Sequence, residues 1–81
     1  MSFTRGEALA AARKLLRTFA SAPEPRRQAR AIHSELAHAA GWSAAEKAQI
    51  DALGAWLQTH PSVSELRSRC EGVLAKVGRT A

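Results

Sequence analysis

The chain has 81 residues, a formal charge of +5 and an apolar fraction of 46%, but 18 of its apolar residues are Ala and only 15 are Leu, Ile, Val or Phe. Such a composition supports a single thin core and leaves no material for a second one, so one domain is expected. Cys70 is the sole cysteine, which excludes an intramolecular disulfide. The Cys and His residues lack zinc-site spacing, and no apolar run approaches the roughly 20 residues a bilayer-spanning helix needs.

The sequence divides into four segments of helical periodicity, predicted at about residues 5–20, 25–40, 44–59 and 63–77. Ser or Thr followed three residues later by Glu stands at every predicted start: Thr4 with Glu7, Ser21 with Glu24, Ser43 with Glu46, and Ser62 with Glu65. In a capping box of this kind the hydroxyl accepts from a first-turn amide, and the carboxylate accepts from the cap amide while facing the positive end of the helix dipole. At the second start Pro23 and Pro25 intrude, so Glu24 is the better cap and Pro25 the first helical residue.

On helix one Leu9, Ala12, Leu15, Leu16 and Phe19 form an apolar stripe. Helix one should stop near Ala20, ahead of the Ser21 to Pro25 break. Helix two offers Ile32 and Leu36 with Ala29, Ala39 and Ala40, the weakest packing face of the four, and should stop at Ala40 before Gly41. Helix three offers Ile50, Leu53 and Leu57, with Trp56 to one side, and should end before His60 because Pro61 disfavours helical geometry in the residue ahead of it. Helix four carries the cleanest stripe: Val63, Leu66, Cys70, Val73, Leu74 and Val77. These patterns predict an all-α fold, a small four-helix bundle or pair of helical hairpins, with the hydrophobic centre on helices one and four. A core of this size supplies only about 3 to 5 kcal/mol, so partner binding or self-association is a natural source of further stability. A homo-oligomer and a monomer fit the sequence equally.

The segment from His33 to Ile50 resembles a helix-turn-helix unit in part, through Ala37, Ala40, Gly41, Trp42 and Ile50. Lys47 stands where that motif wants an apolar residue, and the second helix would begin Ala44-Ala45-Glu46, with few groups able to read base edges. The resemblance implies DNA binding; the simpler reading is a helix stop followed by a helix start.

Positive charge is concentrated. Arg13, Lys14, Arg17, Arg26, Arg27 and Arg30 face Glu24 alone within residues 13–30, and the other 63 residues balance to zero. All six point away from the apolar stripes and should face solvent, where one positive surface would suit an acidic protein, nucleic acid or phosphate. An equally ordinary role is solubility, with Arg stems covering apolar surface. Trp42 and Trp56, the only tryptophans, are either contact anchors or packing residues, Trp42 over the corner between helices two and three and Trp56 in space left by Ala neighbours.

Catalysis lacks its parts. His33 and His38 diverge by about 140° on a helix, no Gly-rich phosphate loop or Gly-x-Ser-x-Gly elbow occurs, and the four start-site Glu residues already serve as caps. Cys70 within a core stripe behaves as a small hydrophobe. No enzyme activity, cofactor or metal is expected. The expected role is a protein-binding one, as adaptor, regulator or inhibitor of a larger protein. Nucleic-acid binding through the same cations, with the chain as a dimer, is the alternative, and a structural assembly subunit the third class. A Met start and small size also suit an accessory protein of a mobile genetic element. The first five residues, Met1 to Arg5, lack an apolar signal core, and a reducing cytoplasmic setting with no membrane is expected.

Overall fold

A computed structural model describes residues 4–78 and resolves them into four helices without an intervening strand segment: α1 (Arg5–Arg17), α2 (Pro25–Ala37), α3 (Ala44–Leu57) and α4 (Val63–Gly78). The fold is an all-α bundle. Two of the expected capping boxes form completely, Thr4 with Glu7 on α1 and Ser43 with Glu46 on α3. The other two do not. Glu24 occupies the cap position of α2 without a side-chain bond, and Pro25 opens the helix; Ser21 Oγ donates instead to the Thr18 carbonyl. At α4 the Ser62 hydroxyl lies 3.3 Å from that of Ser64.

Three helices end earlier than periodicity predicts, and in each case side chains take up the terminal carbonyls. The α1 helix stops at Arg17 rather than Ala20 because the Thr18 hydroxyl bonds back to the Lys14 and Leu15 carbonyls, after which Phe19–Ser21 tighten into a 3-10 turn. The α2 helix stops at Ala37 rather than Ala40. There His38 Nδ1 lies 2.7 Å from the Ser34 carbonyl, which can only accept, so Nδ1 carries the proton. The Trp42 indole N–H donates to the Leu36 carbonyl at 2.7 Å. Gly41, at φ +93°, turns the chain toward α3, a conformation glycine adopts without a Cβ clash. At α3 the Thr59 hydroxyl donates to the Trp56 carbonyl, and the helix closes at Leu57 rather than residue 59.

Antiparallel order follows from which ends meet. Gln28 Nε2, near the start of α2, donates to the Leu15 carbonyl and Thr18 Oγ1 at the end of α1. The starts of α1 and α3 meet through Arg5 and Glu46, and the start of α2 meets the α3–α4 corner through Arg26 and the Pro61 carbonyl.

Two helices, α2 and α4, each pack against all three others, and α1 and α3 barely touch; α4 is as central as the sequence predicts, whereas α2 takes the place expected of α1. Ala29, Ile32 and Leu36 are fully buried, whereas Leu15 and Leu16 of α1 are only partly so. A count of large apolar residues undervalued α2 because Ala29 contributes little volume yet lets a neighbouring helix approach closely. Gly54 makes a similar concession to α2: a Cβ there would stand 2.5 Å from Nε2 of His33. On α4 the stripe is buried from Leu66 to Val77, but Val63 at its start remains 47% exposed, a correction to its expected place in the core. No helix among the described residues is long and apolar enough to cross a membrane.

Burial pushes the Cys70 thiol up from 9.0 to about 11. The unfolded thiol ionises above pH 9 while the folded one keeps its proton, so rising pH favours the unfolded chain; below pH 9 both forms are protonated and the full stability is present. Relative to Cys70→Ala, the native chain is expected to lose about 2 kcal/mol in all between pH 9 and 11 in urea unfolding, about 1 kcal/mol per pH unit. Parallel stability curves for the two proteins across that window would contradict it.

Candidate functional site

The two-proline break after α1 and the Gln28 bonds set the start of α2 beside the end of α1, and Arg13, Lys14, Arg17, Arg26, Arg27 and Arg30 are all exposed. The fold sorts them into different places. Arg13 reaches the C-terminal turn of α4, where its Nη2 lies 2.7 Å from the position a Cβ would take on Gly78. A cation there faces the negative end of the helix dipole. Arg26 is held at the other end of the same helix, its Nη2 donating to the Pro61 carbonyl at 3.3 Å. The 16 residues of α4 separate these two ends by about 24 Å.

Arg26, Arg27 and Arg30 line one groove of about 650 Å³ together with Glu24, Pro25, His60 and Val63. Its two walls come from distant parts of the chain. The first two turns of α2 project the arginines, and the α3–α4 corner supplies His60 and Val63. His60 adopts a left-handed φ of +55°, uncommon for a residue with a Cβ, and the Pro61 that follows bars it from helical geometry. Arg27 pairs with Glu24 at 3.3 Å, but both side chains are well exposed and such pairs contribute about 0 to 1 kcal/mol. Arg30 makes no ion pair among the described residues. The groove therefore presents three guanidinium groups, one replaceable carboxylate and an exposed aliphatic side chain. His60 and Val63 escaped the sequence reading; the available signal was the His60-Pro61 dipeptide, and the fact that the first residue of a helical stripe sits at its margin.

Both tryptophans are half-buried against the core. Trp42 closes the corner between α2 and α3 through its bond to Leu36, with the Arg5 guanidinium 6.0 Å from its ring centroid. Trp56 lies on the α3–α4 side with Arg69 at 5.3 Å over its ring, beside a groove of about 580 Å³ that also includes Ser68 and Gly72. Neither tryptophan adjoins the arginine groove.

The segment that resembles a helix-turn-helix unit has six residues between α2 and α3, against the three or four typical of that turn. The exposed side chains of α3 include Ala44, Ala45, Lys47, Ala48 and Asp51. No group of three or more His, Cys, Asp or Glu residues able to hold a metal ion occurs among the described residues. Comparison with protein-family models, curated proteins and solved structures found no match.

Proposed function

We propose that this chain is a non-enzymatic protein-binding module, an adaptor, regulator or inhibitor, that docks on an acidic surface of a larger protein through the groove of Arg26, Arg27 and Arg30. The observation that carries the reading is the exposure of three guanidinium groups around Val63, the one large hydrophobic residue exposed among those described. Arg enrichment beside an accessible aliphatic group is a common composition for protein interfaces. Nucleic acid is the second reading: the groove has no Phe, Tyr or Trp on which a base could stack, and the His60 imidazole is its single aromatic ring. A reducing, cytoplasmic setting suits the free thiol of Cys70.

Affinity capture from the source cells, followed by mass spectrometry, tests this. Arg27→Glu and Arg30→Glu are each expected to lose the captured partner while the helical circular-dichroism signal is unchanged, since both side chains are exposed and neither supports the core. A partner recovered equally by both variants defeats the reading. A low-salt gel shift with duplex DNA, abolished by combined Ala substitution of Arg13, Arg17, Arg27 and Arg30, would transfer the function to nucleic acid.

A further inference from the structure

We infer that the groove takes a short acidic segment in which carboxylates flank a branched aliphatic residue, the aliphatic group resting on Val63 and Pro25 and the carboxylates meeting Arg26, Arg27 and Arg30. This rests on the protein-binding reading and narrows the partner it implies. Charge complementarity comes first. Three arginines face Glu24 alone in the groove, and a planar guanidinium matches a carboxylate with two parallel donors. Arg26 spends one nitrogen on the Pro61 carbonyl, which fixes the distance between the two walls. Arg27 can exchange its exposed bond to Glu24 for a partner's carboxylate, and Arg30 has no ion pair to give up among the described residues.

The apolar component separates this ligand from a simple anion. Val63 is 47% exposed at the groove, beside half-buried Pro25. A phosphate would leave that surface wet, whereas a Leu-like side chain would remove it from water. The depression, about 650 Å³, is broad and open, so an occupant lies along the surface and is held by the arginines and Val63 rather than by enclosure.

The test uses the full chain and two fluorescein-labelled peptides read by anisotropy: Gly-Glu-Glu-Leu-Glu-Glu-Gly, and the same peptide with Gly in place of Leu. The Leu peptide is expected to bind about tenfold more tightly, the return on burying one aliphatic side chain. Val63→Ser should bring the Leu peptide down to the level of the Gly peptide without changing the latter. Arg30→Glu should weaken both, with circular dichroism verifying that each variant is folded. Equal affinity for the two peptides, or indifference of the Leu peptide to Val63→Ser, overturns the inference, as does displacement of both peptides alike by inorganic phosphate at matched ionic strength. If neither peptide binds, the inference fails, while a captured partner lost on Arg27→Glu leaves the broader reading standing. Peptide binding with the preference for Leu, beside capture indifferent to charge reversal, supports the groove chemistry and removes the assigned partner surface.

Discussion

Leu36→Ala is expected to leave much of the chain unfolded at room temperature, with loss of most of the helical circular-dichroism signal and no cooperative urea transition. Leu36 has no exposed surface and belongs to one of the two helices, α2 and α4, that touch all three others. Truncating a buried Leu to Ala costs about 2 to 5 kcal/mol through lost transfer energy and the cavity left behind, and a domain of this size has only about 3 to 5 kcal/mol to lose. Leu16→Ala is the control. That side chain is half-buried on α1, so its truncation should cost about 1 kcal/mol and preserve a cooperative transition. If Leu16→Ala proves as damaging as Leu36→Ala, the core is centred on α1 and the arrangement around α2 and α4 is wrong.

The contrast between those residues marks where sequence reasoning succeeds and where it stops. Helix starts at Thr4, Pro25 and Ser43, the turn at Gly41 and the break at Pro61 are written locally, in residues that satisfy or deny backbone groups within one turn. Helix ends were less legible because Thr18, His38, Trp42 and Thr59 reach back to carbonyls, and periodicity carries no trace of such bonds. The same division holds at the candidate site. The arginines stand out as a charge run, and their exposure follows from their position opposite the apolar stripe. Their separation into a groove and outliers does not. It depends on Pro61 and Val63, more than 30 residues away in sequence, and on Arg13 turning toward the far end of α4. Glu46 illustrates the limit most sharply: the pattern identifies it as a helix cap, and it is one, yet nothing local reveals that it is also buried against Arg5.

That pair should dominate the stability of the α1–α3 end of the bundle. Glu46 is 4% exposed and its Oε1 accepts from the Ser43 amide at 2.8 Å and from Arg5 Nη1 at 3.3 Å, while the Arg5 stem passes 3.9 Å from the position a Cβ would take on Gly41. Removing one partner of a buried pair costs about 3 to 5 kcal/mol when both charges are dry; Arg5 retains 29% exposure, which lowers the expectation for Arg5→Ala to about 2 to 3 kcal/mol. Glu46→Gln keeps an oxygen to accept from Ser43 and leaves Arg5 near water, so it should cost about 1 kcal/mol. The two singles differ in cost because a carboxylate that loses the Arg5 guanidinium in the interior is worse off than a guanidinium that can turn to solvent. In the double variant the carboxylate is replaced by a neutral amide and no charge is left buried without Arg5, so the cost should fall below the sum of the single costs by at least about 1 kcal/mol. Strict additivity in urea unfolding would mean that the two groups merely lie near each other, and that Glu46 is held in the interior by contacts other than Arg5, the cap bond to Ser43 among them.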